Sequence, residues 1–271
     1  MIARGTLGHA RYYGFRGFFN LVLILLLLPM LLVVMLGISN APGIEFPPAH
    51  LSLTHFGQIL ESPEWRASLG ISLIIASASA LLATIVGTLA AVGLARMRLP
   101  GRRLLVAVVF APIVIPTVVW ALGLRSILEQ LGLLGGFTGM ILGHTVLTAP
   151  LVFIAVSLSL RRLPPRLLYA ALSLGADAVD AFRTITAPLM MPGIVAGVMI
   201  AFVTSFGDVA LSFLLGGNAL HTLPVSMFDG ARLNIDAFQA AIGTVFIVVA
   251  LLTTVGIAAV RRWHDRLWGT E

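Results

Sequence analysis

The sequence predicts an all-α membrane protein with six transmembrane helices, and three observations carry that reading: its composition, the lengths of its apolar runs, and the sidedness of its arginines. Apolar residues make up 59% of the 271 residues and charged residues only 10%, with a mean hydropathy of +1.03, outside the range of soluble domains. A spanning helix needs about 20 apolar residues, and six runs qualify, at about 18–38, 69–95, 104–128, 138–160, 188–207 and 237–260. Backbone groups in lipid must be satisfied within the segment, so these runs are expected to be helical.

Orientation follows from arginine alone, because the chain has no lysine. With both termini on one side, fourteen arginines share that side: Arg4, Arg11, Arg16, Arg96, Arg98, Arg102, Arg103, Arg161, Arg162, Arg166, Arg183, Arg261, Arg262 and Arg266. Only Arg66, Arg125 and Arg232 lie on the other. The positive-inside rule makes the arginine-rich side cytoplasmic. Glu45, Glu61, Glu64, Glu129, Asp208, Asp229 and Asp236 gather on the outer side. The basic balance, net +6, therefore reports topology and not nucleic-acid binding.

Taken in order, residues 1–17 form a basic cytoplasmic lead. The first run, 18–38, has no convincing small-x-small site after it, so it is expected to stay as an anchor and not to be cleaved as a signal peptide. Residues 39–68 form the longest outer loop, punctuated by Pro42, Pro47, Pro48 and Pro63, with a short interfacial helix over Leu51 to Leu60 that could meet a periplasmic protein. The third run carries Pro112, Pro116 and Trp120, whose indole is either an interfacial anchor or a face for an organic cation. Gly132 to Gly139 is read as an outer turn. His144, near the start of the fourth run, is read as a structural hydrogen-bonding histidine.

Residues 161–187 form a cytoplasmic loop, and the fifth run then either ends at Gly207-Asp208 or continues to Leu215. An ionisable group at this depth defaults to a pathway role, so Asp208 is expected to face the interior in preference to capping a helix. Ser205 and Ser212 add hydroxyls nearby, a residue type found more often in helix packing than as a ligand. Residues 18–260 thus make one transmembrane domain, and 261–271 a cytoplasmic tail.

Several chemistries are excluded or unsupported. Cysteine is absent, which removes disulfides, thiolate metal sites and cysteine nucleophiles. The six histidines are scattered, so no metal or other cofactor is expected. Without lysine there is no P-loop, and any ATP energy must come from a partner. No Ser-His or paired-Asp arrangement lies within the spans to support hydrolysis.

The loop carries the most specific signal. In YAALSLGADAVDAFRTITAP, Tyr169 to Pro188, small residues at Ala170 and Ala171, followed by Gly175, leave one helical face bare for close approach by another protein. Gly175 can break the helix, and Pro188 suits the first turn of the next span. Asp177, Asp180 and Arg183 keep the insert soluble. Ala170, Ala171, Gly175, Ile185 and Pro188 stand at the spacing of the "EAA" loop, and the segment resembles that loop of permease subunits from bacterial binding-protein-dependent ABC importers. Tyr169, where the family usually has Glu, and Ala187, where Leu is usual, depart from the pattern.

That resemblance implies a type I ABC importer permease fold with a cytoplasmic coupling helix, in the inner membrane, with both termini cytoplasmic. It implies that Tyr169, Ala170, Ala171, Gly175, Ala176, Asp177, Ile185 and Pro188 engage an ABC ATPase subunit dimer, with residues 165–186 as levers in alternating access. A periplasmic solute-binding protein would deliver the solute. The runs SFGDVALSFLLGG at 205–217 and LPVSMFDGAR at 223–232 further resemble permeases of polyamine (spermidine/putrescine) uptake systems and of their relatives for opines and aminoethylphosphonate. This implies a homologous second permease as partner, while a pathway near Trp120, Ser205, Asp208 and Ser212 is expected from the depth and chemistry of those residues. Polyamine permeases often carry an acidic pair where Gly207-Asp208 stands here. An opine, aminoethylphosphonate, thiamine or ferric ion remains an alternative solute, and a secondary transporter or channel the alternative class.

Overall fold

A computed structural model describes residues 6–40, 43–96, 101–161, 163–217, 219–233 and 236–268; Arg4, Pro42, Arg98 and Arg162 lie outside them. The described chain is helical apart from turns and one antiparallel backbone bridge between Ser39 and Leu51. In order the helices are α1 (Thr6–Gly37), α2 (Thr54–Glu61), α3 (Pro63–Arg96), α4 (Arg102–Val114), α5 (Thr117–Gln130), α6 (Phe137–Arg161), α7 (Pro165–Ser173), α8 (Ala178–Ala181), α9 (Ala187–Phe206), α10 (Ala210–Gly216), α11 (Leu223–Leu233) and α12 (Ala237–Trp268). Among the described residues, five helices are long and apolar enough to cross a membrane, or six if the bent pair α4–α5 counts as one span.

The chain divides into two compact units. In the first, Met1–Glu61 with Gly230–Val248, α1 meets the start of α12 at Gly37, where an added Cβ would lie 2.9 Å from the Ala240 carbonyl oxygen and 2.6 Å from the Thr244 hydroxyl. Most of α1 is apolar on every side and exposed, including Phe15, Phe18, Leu25 and Leu26, the pattern of a helix that packs against lipid or another chain.

The second unit, Ser62–Asp229 with Val249–Glu271, is built on α3, α6 and α9. Along α3 the small residues Ala76, Ala80, Ala83, Gly87 and Ala91 recur every three or four positions and are buried or tightly approached, which gives a flat stripe against which α6 lies closely. A Cβ on Gly87 would stand 2.8 Å from the Ala149 carbonyl oxygen; one on Gly193 of α9 would stand 2.8 Å from that of Ala155. Gly197, four residues on, meets Val152 in the same way. Association here comes from close approach of backbones, because in lipid an apolar side chain gains little by leaving its surroundings.

Two expected spans are interrupted. The third run, expected as a helix over 104–128, is broken at Ile115-Pro116, and its halves are bent by 104°. Pro116 lacks the N–H that would reach back to Pro112, and a residue before proline is pushed out of the α region; Ile115 is extended at φ −81°, ψ 131°. The fifth run stops at Phe206, with Gly207 as its cap, and a separate short helix, α10, follows. α10 packs on α5 and α6, so the pieces after the two breaks lie against each other. The Arg125 guanidinium of α5 donates to the Leu214 carbonyl of α10 at 2.8 Å.

Candidate functional site

The loop between α6 and α9 is a helical hairpin. α7 begins at Pro165, where the missing N–H costs nothing, and ends in a Schellman cap: Gly175 N–H donates to the Leu172 carbonyl and Ala176 N–H to that of Ala171, both at 3.1 Å. The cap needs a left-handed residue, and Gly175 has φ +92°. Asp177 then caps α8, its carboxylate accepting from the N–H groups of Val179 (2.8 Å) and Asp180 (2.7 Å). The expected break at Gly175 is present, between two short helices.

Pro188 stands in the first turn of α9 as expected, but no loop precedes it: α8 runs into α9 through a π-helical turn, Phe182–Thr186, making one helical stretch over Ala178–Phe206. Ala187 N–H reaches back five residues to the Phe182 carbonyl. The wider turn admits the proline ring just after it, and single π turns of this kind recur at functional sites. Ile185 lies within this turn.

The hairpin presents apolar side chains outward. Tyr169 is 67% exposed and Leu174 89%, and Leu167, Leu172 and Val179 are also exposed, while Ala170 is exposed and Ala171 and Ala176 are half-buried. Arg166 and Arg183 flank them.

The second candidate region lies at the α9–α10 break. Buried His144 of α6 bridges its two sides: Ser205 Oγ on α9 is 2.9 Å from Nδ1, and Ser212 Oγ on α10 is 3.2 Å from Nε2. A neutral imidazole can donate to one hydroxyl and accept from the other, so all three polar groups are satisfied. Ser205 and Ser212 are therefore brought together as expected, but on a histidine. The structural reading of His144 matches this geometry.

Asp208 is half-buried, and its carboxylate accepts the Leu211 N–H at 2.7 Å, tying it to the start of α10. Trp120 packs at the edge of the cluster formed by Ile75, Ala121, Met140, Leu211 and Leu215, and its buried Nε1 has no hydrogen-bond partner among the described residues. No group of His, Cys, Asp or Glu among the described residues could hold a metal ion. Sequence reasoning missed the Arg125–Leu214 brace; an arginine inside an apolar run was its only signal.

A family described as "Binding-protein-dependent transport system inner membrane component" matches residues 83–267, from the middle of α3 through the hairpin to the end of α12. The chain belongs to that family. This permease is 30% identical over 243 residues to the putrescine transport system permease protein PotI of Escherichia coli, covering 87% of the chain and 84% of PotI. It is 32% identical over 184 residues to the spermidine/putrescine transport system permease protein PotC of Haemophilus influenzae, covering 68% and 72%. A bacterial ABC transporter involved in importing alginate has a chain of the same fold, with a TM-score of 0.69 at 16% identity, covering 97% of the permease and 99% of that chain.

The expected all-α fold of type I ABC importer permeases is thus the fold of this chain. It is a multi-pass inner-membrane transport component and not an enzyme.

Proposed function

We propose that this permease subunit pairs with a homologous second permease to form the pathway for a polyamine, delivered by a periplasmic binding protein and driven by an ABC ATPase dimer seated on the 165–186 hairpin. Similarity to PotI across 87% of the chain is the observation that carries the solute class. An excess of carboxylates on the outer side suits a cation, because a negative vestibule raises local cation concentration. The arginine asymmetry supports cytoplasmic termini and a cytoplasmic hairpin.

Tyr169, Ala170, Ala171, Gly175, Ala176 and Asp177 form the docking surface, with Tyr169 making an apolar contact where a carboxylate is usual in the family. Ile185 and Pro188 carry its displacement into α9. The exposed apolar hairpin supports this, since an aqueous loop with Tyr169 and Leu174 bare gains by burial in a partner's cleft. Asp208 and Trp120 contribute to the pathway, with Ser205 and Ser212 holding its wall through His144.

Two measurements test the reading. Putrescine or spermidine, with the binding protein, should stimulate ATP hydrolysis by the reconstituted complex; stimulation by another solute class and by no polyamine would reject the substrate. Gly175→Arg should reach the membrane but lose its ATPase, whereas Gly175→Asn, which tolerates the left-handed region, should keep it. An added Cβ at Gly175 meets nothing within 4 Å, and Gly175→Asn carries the same left-handed backbone strain, so a loss confined to Gly175→Arg reports the partner's surface. Normal co-purification and uptake by Gly175→Arg would overturn the docking assignment.

A further inference from the structure

A cavity of about 480 Å³ opens among α3, α4 and α6 at the arginine-rich end of the second unit. Its lining includes the apolar residues Val106, Phe110 and Phe153 together with Ser157, Arg102 and Arg161. A further open hollow beside Arg102 is lined by Gly101, Arg103 and Val106. Both Arg102 and Arg161 are exposed, and neither forms an ion pair with a described residue. No acidic residue stands between Glu64 and Glu129, or between Glu129 and Asp177, so the helices that build the cavity bring positive charge to it and no carboxylate. The α4 N-terminus adds its own dipole: Gly101 precedes it at φ +78° and no side chain caps its first turn.

We propose that this cavity binds an anionic phospholipid, the phosphate held between Arg102 and Arg161 and an acyl chain laid over Val106, Phe110 and Phe153. The volume falls in the range of small-ligand sites. A lining that joins apolar residues to two arginines matches the two halves of such a lipid, and arginine engages phosphate oxygens bidentately. Basic pockets between membrane helices recognise lipid headgroups by the same chemistry. A cationic solute is repelled from the same place, which separates the cavity from the polyamine pathway proposed above. The inner leaflet as the lipid's source rests on the orientation given there; the cavity and its charge do not.

The test uses the whole transporter in nanodiscs with the same lipids in both leaflets. Phe110→Trp places a fluorophore in the cavity wall, and Leu158→Trp, at another lining position, serves if the first variant assembles poorly. Quenching by brominated phosphatidylglycerol is compared with quenching by brominated phosphatidylcholine, with the signal of the parent's own tryptophans subtracted. Both headgroups carry a phosphate, but the choline ammonium is repelled by the two arginines while the glycerol headgroup keeps a net negative charge, so phosphatidylglycerol should quench with a roughly tenfold preference. Arg102→Gln with Arg161→Gln should abolish that preference, and Arg262→Gln on α12 should leave it intact.

Equal quenching by the two headgroups, or a preference that survives the double substitution, would overturn the proposal. So would loss of the preference in Arg262→Gln, which would mean a diffuse basic surface. Erasure of the preference by soluble glycerol phosphate would mean a site for free anions and would likewise overturn it. The readout involves no transported solute, so it stands or falls independently of the polyamine reading.

Discussion

Replacing His144 with leucine tests whether the α9–α10 break is held by the imidazole. Ser205 and Ser212 are 4% and 1% exposed, so water cannot take the histidine's place. Leaving a buried hydroxyl without a partner costs about 1–3 kcal/mol, or roughly 2–6 kcal/mol for two. Part returns if each serine bonds to the carbonyl four residues back, as Thr148 does to His144 at 2.7 Å. A net loss of about 2–4 kcal/mol is expected, a fall in melting temperature of roughly 5–15 °C for a chain of this size. Thermal unfolding of the detergent-purified complex, followed by intrinsic fluorescence, measures it. Adding Ser205→Ala and Ser212→Ala to His144→Leu removes the stranded groups and should restore most of the loss, since replacing all partners by apolar groups is nearly neutral. A single variant that melts with the parent, or a triple variant that melts below the single one, would refute this account.

Gly193→Leu forces a side chain into the Ala155 backbone at 2.8 Å and should cost at least about 1–3 kcal/mol, seen as a lower melting temperature; Gly93→Leu, with nothing within 4 Å of its Cβ, should not. Asp208→Asn keeps an oxygen for the Leu211 N–H while removing the charge, so polyamine uptake should fall roughly tenfold to a hundredfold with assembly intact; undiminished uptake would leave Asp208 as a cap alone. Cysteine at Ala178 should react with a membrane-impermeant thiol reagent only in opened cells, and cysteine at Glu61 in intact spheroplasts; the reverse pattern would invert the orientation.

The class of this protein was legible because its signals are local. The Ala-Ala, Gly and Ile-x-x-Pro separations sit within one hairpin, and Gly175 turns out left-handed for the reason its residue type suggested. The broken third span was harder. Pro29, Pro150 and Pro192 lie inside continuous helices, so proline alone does not announce a break. Pro188 and Pro192 stand one turn apart as Pro112 and Pro116 do, yet their helix continues, so proline spacing does not announce the break either. Asp208 was read from its depth and not from its neighbours, and its link to Leu211 exists only because the chain turns at Gly207. The His144 bridge joins residues 61 and 68 positions apart, a separation that no periodicity records. Pro188 marked the first turn of α9, but nothing in its residue type announced the π turn that joins α9 to α8.

Where α3, α6 and α9 touch, Gly87, Gly193 and Gly197 bring main chain close against the neighbouring helix, within a cluster that also buries Val152, Phe153, Val156 and Met190. Side-chain layers let helices slide by trading rotamers; a Gly193–Ala155 contact has no rotamers to trade. At these contacts the three helices are expected to move together. The compliance then falls to the two places where the ladder of backbone bonds is already open, Ile115-Pro116 and Gly207-Asp208. A glycine that looks like mere packing thus decides which joints of the machine can bend.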